Sequence, residues 1–455
     1  LPHSKSRPEG KIVAKDRIAI FMAELEGKQI EYLRFELPDM HGVSRSKTVP
    51  IDKVEAYARS GLNFYGGVLG LDTSSNVVPA SGLHGDRAFA DQALFPDPES
   101  LRIIPWLEKT ANVLCLGYWE DGEPQRAAPR WVFSELVKRA NALGYDVMMG
   151  HEYEYYLLSL ETKGRLFEGV HIFHTVRNQY TPFLDQLVPT LRAFGVDVIT
   201  HNCEYGGSQF ETVYGAGMNV AAADKAFAFK NGMKEIAHRN GLIASFMAKP
   251  YAGHSGSGCH LHVSLWDRKT GANAFLDAAG PDGLSSVARS FIEGVLVHGP
   301  AMMPLINPTP NCYHRVKPYT FAPSNVSWGR QDRSAMVRVK ATRDDRTHIE
   351  MRAGSAASNP YLLGSAVLAA GLLGVEGGAS LRDQSRDTTS EDNQTLEKFP
   401  LTLDAALDAL GRDEALQGTL GEEFVRVFTA VKRFELARFH GHITDWEVNE
   451  YLELY

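Results

Sequence analysis

The residues best able to do chemistry fall in three short runs whose side chains alternate with period two. In His151-Glu152-Tyr153-Glu154-Tyr155-Tyr156, strand geometry puts Glu152 and Glu154 on one face and Tyr153 and Tyr155 on the other. Two carboxylates that close repel each other unless a cation lies between them. In Gly256-Ser257-Gly258-Cys259-His260-Leu261-His262-Val263-Ser264-Leu265-Trp266, His260, His262 and Ser264 share a face opposite an apolar one. A glycine-rich turn precedes them and offers backbone N–H groups to an anion. In His348-Ile349-Glu350-Met351-Arg352, Arg352 stands two residues from a carboxylate, where a guanidinium can grip a carboxylate or phosphate with two bonds. Arg315, Arg333 and Arg338 precede this run. Glu204 and Glu211 add two further acids. Taken singly, each pattern also describes a solvent-facing strand or a surface ion pair. Together they describe a metalloenzyme handling phosphate or carboxylate, as a ligase or as a phosphohydrolase.

The elements that must position these groups are legible in outline. Strands are expected at 147–158, 197–213, 243–249, 258–265, 335–340 and 347–352, and a helix from Pro129 to Gly144. The apolar run Tyr361–Val375 reads as a buried helix with Asn359 as N-cap and Pro360 in first position. Its length of about 15 residues falls short of the roughly 20 that span a bilayer. Residues 11–60 hold β-like runs and a short helix near Val54, Gly66–Pro98 reads as loops, and a strand passes through Val113–Leu116. Polar Glu120–Arg126 marks the boundary between two domains, and Arg382–Thr395 reads as a mobile loop.

Composition sets broad limits. With 44% hydrophobic and 22% charged residues over 455 positions, the chain is that of a soluble globular protein with a large core. A net charge of −8 points to neither a nucleic-acid nor a membrane partner. Four cysteines without a C-x-x-C pair, behind a charged N-terminus, suit a reduced, cytoplasmic protein.

The ordered runs resemble the active-site segments of the glutamine synthetase family over nearly the whole chain. The matches are H-E-Y-E-Y (151–155), E-Y-G-G-S-Q-F-E (204–211), K-P-Y-A-G-H-S-G-S-G-C-H-L-H-V-S-L-W (249–266), N-P-T-P-N-C-Y-H-R (307–315), D-R-S-A (332–335) and E-M-R…N-P-Y-L (350–362). The resemblance implies an α+β protein: a small β-grasp-like N-terminal domain over 12–118 and a catalytic domain over 125–455, whose curved antiparallel sheet is flanked by helices. It implies Glu154, Glu204 and Glu211 around one divalent ion and Glu152, His260 and Glu350 around a second, with two to three Mg²⁺ or Mn²⁺ per site. By the same resemblance His262, Ser264, Arg338 and Arg346, or Arg343, meet ATP. Gly256, Arg315 and Arg352 hold glutamate, with Glu154, Glu204 and His260 beside it, and Arg333 and Arg338 stabilise the phosphoryl group. The implied reaction phosphorylates the γ-carboxylate of glutamate and passes the acyl group to an amine. The implied assembly is a homo-oligomer, a dodecamer of two hexameric rings, each site completed by a neighbouring N-terminal domain.

Three positions depart from the family pattern. Phe321 stands where a flap glutamate assists ammonium, and a phenyl ring accepts no proton but can line an apolar pocket. The aspartate that assists deprotonation is matched either by Asp72, the preferred alignment, or by Tyr65. His348 replaces an arginine, leaving Arg346 or Arg343 for the phosphate contact. A tyrosine-bearing N-L-Y-D-L-P stretch, nucleotidylated in some members, has no counterpart before Phe399. The expected activity is therefore ligation of glutamate to a hydrophobic alkyl or aryl amine. An ammonia-using glutamine synthetase and a catalytically inactive structural member are the alternatives.

Overall fold

The computed structural model describes residues 15–169, 172–317, 320, 322–384 and 395–455. The described residues open on a helix, Lys15–Gly27, ahead of the β-like run at 30–35, which forms strand Tyr32–Pro38. Ile18, Phe21 and Leu25 return to one side at helical spacing and are buried. A mixed sheet follows in the order Ser44–Pro50, Tyr32–Pro38, Thr110–Tyr118, Asp91–Pro96, Leu62–Tyr65. Its central pair, Tyr32–Pro38 with Thr110–Tyr118, is parallel, and its neighbours are antiparallel. Helix Ile51–Ser60 buries Val54 and Ala58, completing a β-grasp-like arrangement. The stretch 66–98, expected to be loops, contributes strand Asp91–Pro96 to this sheet, its apolar Leu94 and Phe95 hidden by pairing partners far along the chain.

The second sheet has nine strands. Its main order is Trp328–Arg330, Val337–Lys340, His348–Met351, Cys259–Asp267, Tyr145–Ser159, Gln209–Tyr214 and Val198–Cys203, with two short strands also on Tyr145–Ser159. Pairing is antiparallel except between Trp328–Arg330 and Val337–Lys340. The span 197–213, expected as one strand, is two, folded back on each other at Glu204–Ser208. One face of this sheet is apolar. Tyr153, Tyr155, Cys259, Leu261 and Leu265 are fully buried there, with Tyr153 and Tyr155 against Phe229 and Phe246. Helices Pro129–Ala142, Val220–Arg239 and Pro360–Glu376 belong to the same core.

Helix Pro360–Glu376 starts as expected: the Asn359 carboxamide oxygen accepts the Tyr361 N–H at 3.0 Å. The glycines that interrupt its apolar run let it approach helix Ser286–Val297 at backbone distance. A Cβ on Gly374 would lie 2.1 Å from the Ser290 carbonyl oxygen. Among the described residues no helix is long and apolar enough to cross a membrane. Most of the polar stretch 382–395 lies outside the described residues.

The first sheet is joined to the C-terminal helix Glu422–His440 by a buried ionic cluster. His41 Nε2 meets Glu435 at 2.6 Å, Lys432 donates to Glu435 at 2.9 Å, and Arg45 donates to Asp39 at 2.7 Å. Burial and Lys432 push the His41 pKa down, but Asp39 and Glu435 outweigh them and leave it raised. A raised histidine contributes stability in full below its unfolded value of about 6.5, and that contribution is lost as pH climbs through the folded value. Thermal unfolding of His41→Gln against the parent should therefore show its largest deficit at pH 6 and a much smaller one at pH 9.

Candidate active site

The polar face of the nine-stranded sheet gathers the chemical groups, and strand register does the gathering. Glu152 lies opposite His260, Glu154 opposite Glu211, His262 opposite Glu350, and Arg338 opposite Glu350. Because side chains alternate, this register points all seven groups to one side. Glu204 joins from the turn after Val198–Cys203, where Glu204 N–H bonds the Gln209 carbonyl at 2.8 Å.

The site has two electrostatic poles. At one, the acids Glu154, Glu204 and Glu211 lie close together, with Arg315 a cation that interacts with Glu154. Burial, then Glu154 and Glu152, push the Glu204 carboxyl up to about 7. Burial, then Glu152, Glu154 and Glu204, raise Glu211 further above the usual carboxylate range. At the other pole Glu350 is surrounded by cations. Arg338 donates to it at 3.0 Å, Lys340 lies at 3.2 Å, and Arg352 pairs with its second oxygen. Burial opposes ionisation there, but His260, Arg352, His262 and Lys340 bring the Glu350 pKa down to about 2.

Glu152 bridges the poles. His260 Nδ1 lies 2.7 Å from one of its oxygens and His262 Nε2 3.4 Å from the other. A proton assignment follows from the partners. The Arg346 carbonyl can only accept, so His348 Nδ1 carries the proton toward it. Neutral His348 then accepts at Nε2 from His262 Nδ1, 3.0 Å away. If His262 is neutral, its Nε2 lone pair faces a carboxylate oxygen, an arrangement that calls for a proton or a metal ion between them. Glu152, His262 and Glu350 each offer a ligand atom within 4.8 Å of the others. The acids at the first pole, which offer oxygen donors only and of which Glu204 and Glu211 have raised pKa values, fit a hard divalent cation. The residues present therefore fit a divalent-metal site, with His262 as well as His260 in reach.

Behind the acids runs the glycine turn. Gly258 N–H donates to Glu154 at 2.6 Å, and Arg315 is packed under the turn. A Cβ on Gly258 would lie 2.3 Å from an Arg315 nitrogen, and one on Gly256 would lie 2.8 Å from Arg315 Cγ. Gln209 donates to the Gly256 carbonyl at 2.9 Å and the Ser257 hydroxyl at 3.2 Å. The Ser264 hydroxyl accepts from Trp266 at 3.0 Å.

Other expected residues lie differently. Arg333 is exposed, and its carbonyl accepts from Arg352 Nε at 2.8 Å. Arg346 is exposed and paired with Asp344 at 2.6 Å, while Arg343 donates to the Ala278 carbonyl. Lys340 is a basic group at the second pole that sequence reasoning passed over, although V-R-V-K places it on the Arg338 face. Asp72 is enclosed within its own chain. Ser74 and Asn76 N–H groups, the Asn76 amide and Arg438 all donate to its carboxylate. It has no solvent exposure, though the cover is thin, since Arg438 is 42% exposed. Burial raises its pKa, and those hydrogen bonds more than reverse the effect. Tyr65 is partly exposed at the end of edge strand Leu62–Tyr65. Its hydroxyl donates to His84 Nδ1 at 2.5 Å, because His84 Nε2 donates to the Gly70 carbonyl. Phe321 lies outside the described residues.

Comparison with known proteins agrees with this arrangement. Residues 126–451 match the family model "Glutamine synthetase, catalytic domain". A glutamine synthetase of Methanococcus maripaludis is 31% identical over 95% of this chain and 98% of its own length. A glutamate–isopropylamine ligase of a Pseudomonas species is 29% identical over 94% and 96%. Lengsin of Rattus norvegicus is 29% identical over the whole chain and 81% of its own. A solved GmaS–ADP complex superposes with a TM-score of 0.85 at 29% identity, covering 95% of this chain and 99% of that one. A sheet that sets an acidic pole beside a basic one, on this fold, is that of an ATP-dependent carbon–nitrogen ligase. The chain belongs to the glutamine synthetase family.

The acidic pole makes metal binding a proton-releasing event. Glu204, at about 7 against 4.5 when unfolded, is partly protonated at neutral pH, and a divalent cation binds the ionised form. A raised carboxyl contributes stability below its unfolded value and loses it as pH rises through the folded one. The metal-free protein should therefore lose thermal stability from pH 5 to pH 8, and Mg²⁺ should restore more of it at higher pH. Calorimetry at pH 7 in buffers of different ionisation enthalpy should detect net proton release on Mg²⁺ binding.

Proposed function

We propose that this ligase joins the γ-carboxylate of glutamate to a hydrophobic primary amine, alkyl or aryl, giving a γ-glutamylamide, ADP and phosphate. The observation that carries the amine end is Phe321, a phenyl ring where ammonia-using members keep an acid. The likeness to a glutamate–isopropylamine ligase supports it, while the equal likeness to named glutamine synthetases keeps ammonia as the second reading.

In this reading Arg315 and the Gly256 backbone hold glutamate, with Arg352 turned to its carboxylate when substrate competes with Glu350. Glu154, Glu204 and Glu211 hold one Mg²⁺ or Mn²⁺, and Glu152, Glu350 and a histidine, His260 or His262, hold another. Bound there, the ions would neutralise phosphate oxygens and orient ATP. A γ-carboxylate oxygen attacks the terminal phosphorus and the bond to ADP breaks. Arg338, Lys340 and the exposed Arg333 are the cations disposed to steady the moving phosphoryl charge. The amine, as free base, then attacks the acyl carbon and phosphate leaves. His262 and Ser264 line the nucleotide side, where Lys340 is better disposed than the surface-paired Arg346. The enclosure of Asp72 by Arg438 favours Tyr65 as the residue offered to an amine.

The remaining expectations fit this reading. A ring-shaped homododecamer in which neighbours complete each site is checked by mass photometry. Four buried, unbridged thiols suit a cytoplasmic setting.

ATP turnover with glutamate plus ammonia, isopropylamine, aniline or putrescine tests the function. The highest kcat/KM should belong to a hydrophobic amine, and ammonia as the best substrate would overturn the reading. Replacing the missing acid by Phe321→Glu should shift the ratio of kcat/KM values toward ammonia by about tenfold or more.

A further inference from the structure

Lys230, on helix Val220–Arg239, belongs to none of the roles above, yet it is buried beneath the site with only 3% of its surface exposed. Its ammonium lies over the rings of Phe246 and Tyr153, at 5.5 and 5.9 Å. Its hydrogen bonds go to backbone carbonyls, Ala356 and Ser358, each at 2.8 Å. A buried lysine stabilised by carbonyls and rings in place of a carboxylate is a costly choice. The segment it holds explains the choice.

That segment, residues 354–358, is the floor of the glycine turn. Ala356 N–H donates to the Ser257 carbonyl at 3.1 Å, and Cys259 N–H donates to the Gly354 carbonyl at 3.0 Å. Arg315 donates to the same Gly354 carbonyl at 3.2 Å. Gly258 and Ser355 form an antiparallel bridge. Part of what fixes Gly256–Gly258 and Arg315 thus passes through a backbone whose far side is bound by Lys230, beside the Ser257 N–H bond to the Ala248 carbonyl at 2.8 Å and the Glu154 N–H bond to the Gly258 carbonyl at 3.0 Å. Gln209 holds the turn from the opposite side.

We propose that Lys230 is a positioning residue for the acid substrate: by fixing residues 354–358 from behind the sheet, it sets the spacing between the Gly256 backbone and the Arg315 guanidinium. This rests on the reading of those two groups as the carboxylate grip. Of the nucleotide-side groups, His262 and Ser264 lie farther along strand Cys259–Asp267, held by its pairing with Tyr145–Ser159, and Arg338 is held by pairing with His348–Met351. Burial and nearby Lys234 bring the lysine's pKa down to about 7. Both its charged and neutral forms keep the two N–H donors that the carbonyls need.

The test compares Lys230→Met, which keeps the aliphatic stem and removes the donors, with Lys230→Arg, which keeps donors. With ATP, Mg²⁺ and a saturating amine, Lys230→Met should raise KM for glutamate roughly tenfold or more, while KM for ATP stays within about twofold and kcat within about threefold. Lys230→Arg should recover most of the glutamate affinity. An unchanged glutamate KM in Lys230→Met overturns the proposal, as does a parallel rise in both KM values, the signature of a merely structural role. If Lys230→Met does not fold, Lys230→Gln and Lys230→Arg take its place, and the same split between the two KM values supports or overturns it. Failure of the underlying reading looks different: the parent enzyme then shows no glutamate-dependent ATP turnover at all.

Discussion

Mutual repulsion among carboxylates is the constraint around which this protein is built. Glu152 and Glu154 sit two residues apart on one strand, with Glu211 opposite the second and Glu204 at the adjoining turn. A flexible chain would separate such charges. The long central strand Tyr145–Ser159 prevents that, because it is bonded on both sides and its other face is locked into the aromatic core by Tyr153 and Tyr155. Withdrawing the acids would mean withdrawing those rings from their packing, which costs far more than the repulsion saves. Burial first, and then Glu154 and Glu152, raise the Glu204 pKa, the cost that remains.

The basic pole solves the converse problem. Glu350 collects Arg338, Lys340 and Arg352, so the guanidinium groups are held in place by a carboxylate that is itself a metal-ligand candidate. A phosphate or carboxylate arriving there exchanges partners with Glu350 instead of entering an unpaired cationic pocket. Glu152 lies between the acidic and basic poles, with His260 at 2.7 Å from one of its oxygens and His262 at 3.4 Å from the other.

How much of this was legible depended on range. Period-two patterns are local, so the shared faces of Glu152 with Glu154, of His260 with His262, and of Glu350 with Arg352 could be read directly. Register is not local. That Glu152 faces His260 and Glu154 faces Glu211 is decided by core packing across more than fifty residues, and only the ordered resemblance hinted at it. The strand Asp91–Pro96 was hidden because its glycine- and proline-rich surroundings suggested loops, whereas distant partners supply its pairing. The enclosure of Asp72 was least accessible of all, since Arg438 reaches it from 366 residues away. Lys340 was legible and was passed over: its place on the Arg338 face needed no long-range information.

The division between near and far also bears on how such a site can change substrate without losing its chemistry. Metal, phosphate and carboxylate groups here are locked together by register, by the glycine turn and by its floor, so altering one disturbs several. Tyr65, which the proposed reading offers to the amine, stands at the edge of a different sheet. A substitution there leaves the pairing of Glu152, His260, Glu211 and Glu350 intact. Such a separation permits a phosphoryl-transfer half to stay constant while the amine end changes, whereas His348, a departure of this chain, lies on the constrained side, on strand His348–Met351 with its Nε2 3.0 Å from His262 Nδ1.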